Sequence, residues 1–186
     1  MAERIWGLAA VPAAERTDLL AAPVAAGLED WKAVAAERPP LVAEVDPELS
    51  DTAAASEAYG FPMEAGANCI VVTGKRGGEV RTAACVVLAT TRLDVNGAVR
   101  RRLDVRKASF ARQDDAVAAT GMEYGGITPV GLPEGWPLLV DAAVAACPLV
   151  VVGSGVRRSK LIVPGAALAG LPGAETVDGL GLPLES

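Results

Sequence analysis

Apolar residues in the first forty positions recur at helical spacing. A helix is predicted over Val24–Glu37, because apolar side chains return every three or four positions there, at Val24, Leu28, Trp31 and Val34. Pro23 stands where it can open this helix, and Pro39-Pro40 where it can close it. A preceding helix is predicted over Ala13–Ala22. Residues 1–40 are therefore expected to form an N-terminal helical extension.

From Leu41 onward the pattern changes to short apolar runs rich in β-branched residues. Strands are predicted at Leu41–Val45, Cys69–Thr73, Val80–Ala89, Lys107–Phe110, Leu138–Val140, Leu149–Gly153 and Lys160–Val163. The glycine-rich segment Gly74–Gly78 is expected to join the second and third of these strands as a hairpin loop. The last two strands are expected to pair with each other.

Short helices are predicted between these strands. Asp51 is expected to cap a helix that runs to Tyr59 and ends at Gly60. Further helical segments are predicted at Asn96–Leu103, Asp114–Thr120, Asp141–Ala146 and Pro164–Leu171. Because hairpins replace a regular strand–helix–strand alternation, residues 41–186 are expected to form an α+β domain. Its sheet is expected to be largely antiparallel and barrel-like, with flanking helices.

The composition excludes several kinds of chemistry. The 186 residues include no histidine, which removes Ser-His-Asp and Cys-His catalysis and every histidine-containing metal site. The acidic residues show no metal-ligand spacing, so neither a metal nor a cofactor is expected. Cys69, Cys85 and Cys147 lie in apolar runs and are expected to be small buried hydrophobes. No secretory signal or membrane-spanning run is found, so a soluble, cytoplasmic protein without a membrane partner is expected.

Basic residues cluster on a chain that is acidic overall. The chain carries 17 basic and 23 acidic residues, for a formal net charge of −6. Seven of the bases fall between Arg92 and Arg112. Such clustering indicates a local contact with an anion. A solvated helix face explains the cluster equally well, and the sequence leaves both interpretations open.

A glycine-rich segment follows the predicted helix Asp114–Thr120. The fourteen residues from Thr120 to Pro133 include four glycines and two prolines. Backbone amides in such a loop can approach a ligand closely, and Gly125-Gly126 can aim consecutive N–H groups at a developing oxyanion. A tight connection between a helix and a strand is the alternative, and composition alone favours that alternative.

These segments carry a family resemblance when they are read in order. They are Lys107–Ala111, Thr120-Gly121, Gly125–Pro133, Val140-Asp141, and Val151–Gly155 followed by Arg158. Over about residues 41–172 the chain resembles the YbaK family of aminoacyl-tRNA editing domains. That family includes the freestanding Cys-tRNA(Pro) deacylase and the insertion domain of bacterial prolyl-tRNA synthetases. The glycine-rich segment is the most specific part of the resemblance.

The resemblance implies hydrolysis of the ester that links a wrong amino acid to the terminal adenosine of tRNA, with neither a protein nucleophile nor a metal. Gly125 matches the catalytic glycine of the family. The residues expected to bind the substrate are Gly126, Ile127, Thr128 and Pro129 in the same loop, and Ser154, Gly155 and Arg158 in the loop that closes the pocket floor.

Two positions depart from the family pattern. Asn68 stands where the family usually has a lysine, and Lys160 stands where editing relatives often carry an aspartate. Our hypothesis is that Lys160 supplies the positive charge from the opposite strand, while Asn68 becomes a neutral hydrogen-bond donor. A cation near the ester carbonyl stabilises an oxyanion in a water-poor pocket. The alternative is a surface lysine that covers apolar strand.

The sequence therefore predicts a trans-editing aminoacyl-tRNA deacylase with Gly125, Lys160 and Asn68 as its catalytic residues. The acceptor end of the tRNA is expected to contact the basic residues Arg100, Arg101, Arg102, Arg106 and Lys107. One alternative is a tRNA-end or aminoacyl-binding module that has lost turnover together with the family lysine. Another is a protein that docks on an aminoacyl-tRNA synthetase through residues 1–40.

Overall fold

A computed structural model describes residues 1–31 and 38–185 of the chain. Its strands are β1 (Glu3–Ile5), β2 (Leu8–Pro12), β3 (Leu41–Glu44), β4 (Ala67–Arg76), β5 (Glu79–Leu88), β6 (Thr91–Leu93), β7 (Ala108–Phe110), β8 (Leu138–Asp141), β9 (Val150–Gly153), β10 (Ser159–Val163), β11 (Ala174–Val177) and β12 (Gly181–Pro183).

The α-helices are short. They are α1 (Ala22–Trp31), α2 (Thr52–Tyr59), α3 (Arg100–Leu103), α4 (Gln113–Thr120), α5 (Ala142–Ala145) and α6 (Gly165–Ala169). A π-helical turn over Val95–Val99 leads into α3, and 3-10 turns lie at Ala13–Glu15, Thr17–Leu19, Pro47–Leu49 and Met63–Ala65. Within the described residues, no helix is both long enough and apolar enough to cross a bilayer.

Two sheets of five strands each form the framework of the described residues. The first has the order β1-β2-β3-β10-β9 and is antiparallel throughout. The second has the order β11-β8-β5-β4-β7, in which β8 runs parallel to both β5 and β11. The α+β class is confirmed. The barrel-like closure is wrong, because each sheet keeps two edge strands and an isolated bridge from Gly66 to Val151 joins them.

Apolar side chains fill the space between and around the sheets. The largest cluster lies between the two sheets and α1, and includes Trp31, Leu138, Leu161 and Leu168. A second cluster packs α3 and the chain end near Leu180 against the second sheet. A third packs Phe61 and α2 against the first sheet. Burial of this apolar surface is the main force that holds the sheets beside each other.

The helical character predicted for residues 1–40 is wrong over its first part. Residues 3–12 form β1 and β2, and β2 pairs with β3 in the first sheet. Leu8 and Ala10 are buried with an exposed residue between them, which is the two-residue period of a strand. The predicted helix Ala13–Ala22 is replaced by the two 3-10 turns. The helix predicted from Val24 is confirmed as α1, while its end at Glu37 lies outside the described residues.

Between residues 41 and 171, the predicted strands agree with those of the structure. All seven predicted strands are present, and β9 pairs antiparallel with β10. The hairpin between β4 and β5 is tighter than predicted, because only Gly77 and Gly78 form the turn. Their φ angles of +57° and +84° suit glycine in a two-residue hairpin. The strands β11 and β12 in the glycine- and proline-rich tail were not predicted.

Candidate functional site

A cavity of about 700 Å³ opens between the two sheets. Its walls come from the start of α2, the first half of β4, the end of β7, the glycine-rich loop and the β9–β10 hairpin. Gly125, Ile127, Asn68 and Lys160 all line this cavity. The structure thus brings together four residues that the sequence placed in one site, although they are far apart along the chain.

Lys160 reaches the cavity from β10 and is only 6% exposed. Its Nζ donates a hydrogen bond to the backbone carbonyl of Ser50, with a distance of 2.5 Å. Burial lowers the pKa of Lys160 below 10.5, and the nearby charge of Asp51 opposes that shift. The alternative of a surface lysine is therefore wrong.

Asn68 reaches the same cavity from β4, in the other sheet. Its Oδ1 accepts a hydrogen bond of 2.7 Å from the hydroxyl of Thr52, at the start of α2. No hydrogen bond of its Nδ2 occurs among the described residues. The amide nitrogen is thus a neutral donor on the opposite wall from Lys160.

Gly125 lines the cavity and has an unused backbone donor. Its φ of +84° is a conformation that glycine adopts without strain. Within residues 1–31 and 38–185, its N–H has no hydrogen-bond partner. Gly126 differs, because its N–H donates to the carbonyl of Glu123 at 2.9 Å. A Cβ at Gly126 would lie 2.8 Å from the carbonyl carbon of Val156, so this glycine is required by packing. Two consecutive free donors were predicted, and this prediction is wrong for Gly126.

Other residues predicted for substrate binding lie behind the cavity wall. Thr128 and Pro129 are buried and do not line the cavity. The single hydroxyl proton of Ser154 stays within its own hairpin, because the carbonyls of Val156 and Ser159 both lie within hydrogen-bond distance of its Oγ. Gly155 donates to the carbonyl of Gly126 at 2.7 Å and so ties the two loops together. These contacts stabilise the wall, and none of these four residues lines the observed cavity.

Arg158 also points away from the cavity, because it donates to the carbonyl of Asp18. Its neighbour Arg157 lines the cavity instead. The Arg157 side chain donates from Nε to Ser50 Oγ at 3.2 Å, and from Nη2 to the carbonyl of Pro47 at 3.1 Å. Its backbone N–H donates to Glu123 Oε2 at 2.7 Å. Arg157 therefore joins the start of α2 to both loops.

The segment Ser50–Thr52 is part of the site and was not predicted from the sequence. Ser50 contacts Lys160 through its carbonyl and Arg157 through its hydroxyl. Asp51 and Thr52 lie beside it on the cavity wall. The sequence did indicate that a helix starts here, because Asp51 was predicted to cap it. It gave no indication that this helix start contacts β10.

The predicted tRNA-binding residues lie outside the cavity. Arg100 Nε donates to the carbonyl of Asn96 at 2.7 Å, and Arg102 Nε contacts Glu175 Oε1 at 3.0 Å. Arg101, Arg106 and Lys107 are exposed, and their side chains make no hydrogen bond within the described part of the chain. The segment is therefore a solvated cationic surface that adjoins β7, whose far end at Phe110 reaches the cavity.

The cavity also contains a thiol. Burial raises the pKa of Cys69 far above its ordinary range, so this thiol stays protonated at neutral pH. Burial likewise raises the pKa of Cys85 to about 12. A protonated, desolvated thiol is a poor nucleophile. In the described ranges, no three Cys, Asp or Glu side chains are grouped as a metal site would require.

Comparison with known proteins assigns the chain to a family. The aminoacyl-tRNA editing domain family matches residues 46–171, which is more than half of the chain. The chain therefore belongs to the aminoacyl-tRNA editing domain family. The match covers α2, both walls of the cavity and the β9–β10 hairpin.

Two solved structures share the fold. The hypothetical protein APE2540 aligns with a TM-score of 0.71 and 22% identity, over 84% of this chain and 99% of that one. A protein proposed to be a trans-editing enzyme for prolyl tRNA synthetase aligns with a TM-score of 0.64 and 21% identity, over 82% of this chain and 95% of that one. At this level of identity, the two likenesses show a common fold.

Proposed function

We propose that the protein is a trans-editing deacylase that hydrolyses the ester of a mischarged aminoacyl-tRNA. The observation that carries the proposal is that Lys160, Asn68 and Gly125 line one cavity of an editing-domain family member. All three present hydrogen-bond donors. Donors that surround a carbonyl oxygen are suited to stabilise the negative charge that develops there during acyl transfer.

The proposed reaction uses water as the nucleophile. Its oxygen adds to the ester carbonyl carbon, and the bond from that carbon to the ribose oxygen then breaks. One proton of the water passes to the ribose oxygen, so the products are the free amino acid and a tRNA with its terminal hydroxyl restored. Lys160 and the Gly125 N–H would donate to the carbonyl oxygen. Removal of one such donor typically costs about a hundredfold to a thousandfold in rate.

Lys160 is suited to this role because its position is restrained. The carbonyl of Ser50 takes one of its donors, and the ammonium group carries three in total. The remaining donors have no hydrogen-bond partner within residues 1–31 and 38–185, and can therefore face a substrate oxygen. Because Lys160 is largely buried, such a contact is stronger than one at the protein surface.

The cationic surface at residues 100–107 would hold the acceptor end of the tRNA. Three of its five basic side chains have no hydrogen-bond partner in the described part of the chain, so they are available for phosphates. The net charge of −6 opposes strong binding of RNA by the whole protein. Affinity is expected to be modest and to fall with salt. An aminoacyl-tRNA synthetase in the cytoplasm would then supply the mischarged substrate.

The test is release of labelled amino acid from a panel of mischarged tRNAs, with protein present in less than stoichiometric amount. Mischarged prolyl tRNAs come first, given the fold shared with the proposed prolyl trans-editing enzyme. Several turnovers per protein molecule on at least one substrate would support the proposal. A protein that turns over none of the panel would contradict it.

One observation favours a second candidate function. Asn68 replaces the lysine that the family resemblance implies at this position. A protein that lacks this group would bind the aminoacylated tRNA end without cleaving it. The same assay separates the two functions, because a binding module would protect the ester from spontaneous hydrolysis and release nothing.

A further inference from the structure

Asp51 is the one acidic side chain among the described residues that line the cavity. The cations on the same walls are Lys160 and Arg157. Asp51 follows Ser50, whose carbonyl holds the Lys160 ammonium group. A negative charge therefore lies beside the proposed carbonyl-binding donors.

The two carboxylate oxygens of Asp51 have different surroundings. Oδ2 accepts hydrogen bonds from the backbone N–H groups of Ala53 and Ala54, at 3.1 Å and 3.2 Å, and so caps α2. Oδ1 has no hydrogen-bond partner within residues 1–31 and 38–185. The cap fixes the carboxylate in place, and the second oxygen remains available to a ligand.

An aminoacyl ester carries a group that fits this oxygen. Its α-amine is attached to the carbon next to the ester carbonyl, and a protonated amine is repelled by Lys160 and Arg157. A carboxylate close to those cations offsets the repulsion and accepts a charge-assisted hydrogen bond. We propose that Asp51 binds the α-ammonium group of the substrate, and that the cavity thereby selects aminoacyl esters with a free amine over N-blocked ones. This inference rests on the proposed function.

The test compares two substrates on two variants. Asp51→Asn keeps a residue that caps helices about as well as aspartate, but it removes the charge. The matched control is Asp46→Asn, because Asp46 caps the turn Pro47–Leu49 in the same way and does not line the cavity. Each protein is assayed with an aminoacyl-tRNA and with its N-acetylated form.

The wild-type protein should prefer the free amine by about tenfold or more, the usual size of a hydrogen bond to a charged group. Asp51→Asn should lower kcat/KM by a similar factor on the free-amine substrate and leave the N-acetylated substrate unchanged. Asp46→Asn should change neither. Equal losses on both substrates would assign Asp51 a purely structural role and overturn the inference, as would a wild-type protein that does not distinguish the two.

A binding measurement separates this inference from the proposed deacylase activity. The probes are non-cleavable amide analogues of aminoacyl-adenosine, with the amine free or acetylated, titrated by calorimetry. Tighter binding of the free-amine probe by the wild-type protein but not by Asp51→Asn supports the inference, even if no ester is hydrolysed. Equal binding of the two probes by the wild-type protein overturns it, even if hydrolysis is observed.

Discussion

Lys160 and the cationic surface at residues 100–107 carry the same sign of charge in opposite environments. Lys160 is 6% exposed and faces a cavity between the sheets. Arg101, Arg106 and Lys107 are exposed to solvent. A desolvated cation acts strongly on one nearby atom, whereas solvated cations act weakly on many phosphates and are screened within about 10 Å. Under the proposed function, Lys160 therefore has a chemical role and the cationic surface has a binding role.

The largest expected effect comes from replacing Lys160 by methionine, which keeps an unbranched side chain of similar shape and removes its charge. Deacylation of the best substrate should fall by about a hundredfold or more, the usual effect of removing an oxyanion donor. Affinity for the tRNA should change little. Single-turnover kinetics measure the first quantity and filter binding the second.

The matched control for that variant is Lys75→Met, since Lys75 is an exposed lysine near the β4–β5 turn. It should leave the rate unchanged. If Lys160→Met cleaves the true substrate as fast as the wild-type protein does, the catalytic role of the buried cation is wrong.

An intermediate effect is expected from changing Arg100, Arg101 and Arg102 together to alanine. tRNA binding should weaken, and the slope of log affinity against log salt should flatten by about 0.7–0.9 for each lost phosphate contact. Arg102 already pairs with Glu175, so Arg101 should account for much of the change. Titrations at several salt concentrations give the slope.

A control triple variant, with Arg4, Arg16 and Arg38 changed to alanine, removes the same number of charges elsewhere. Arg16 and Arg38 pair with Asp18 and Glu3 on the surface. Similar slopes in the two triple variants would mean that only net charge matters and that residues 100–102 do not contact the tRNA.

The smallest expected effect concerns stability and pH. Burial lowers the pKa of Lys160 in the folded protein below 10.5. As pH rises, the folded state therefore releases this proton before the unfolded state does. Because of this group, the free energy of unfolding increases with pH until pH passes 10.5. Below the folded pKa, the cost of burying the charge is fully present.

Urea unfolding of the wild-type protein and of Lys160→Met, from about pH 7 to about pH 10, measures this effect. The free energy of unfolding of the wild-type protein, relative to that of Lys160→Met, should increase as pH rises. A difference that stays constant across this range would show that the lysine is solvated in the folded state.

The local sequence pattern was sufficient to predict most of the strands between residues 41 and 171. The strands there are rich in β-branched residues, and Asp51 and Gly60 mark both ends of α2. Residues 3–12 lack such signals, because alanine and proline dominate β2 and its period appears only once β3 pairs with it. The tail strands β11 and β12 depend in the same way on β8 and β6.

The site was predictable only in part. The resemblance identified Gly125, and the departures from the family pattern pointed to Asn68 and Lys160. The structure places all three around one cavity. It could not identify Ser50, because the contact between Ser50 and Lys160 joins residues 110 positions apart. The sequence also did not distinguish two adjacent arginines. Arg158 was predicted to bind the substrate, whereas Arg157 lines the cavity and Arg158 contacts the carbonyl of Asp18.

The acceptor for Lys160 is a main-chain carbonyl, and every amino acid supplies that atom. Substitution at position 50 would free Arg157 from its hydroxyl partner but would leave the lysine tethered. Replacement of the buried Ser50 by alanine would therefore reveal only its contact with the arginine, and would overlook its part in aiming the ammonium group. Only a change in the path of the backbone before α2, such as an inserted residue, would reveal that dependence.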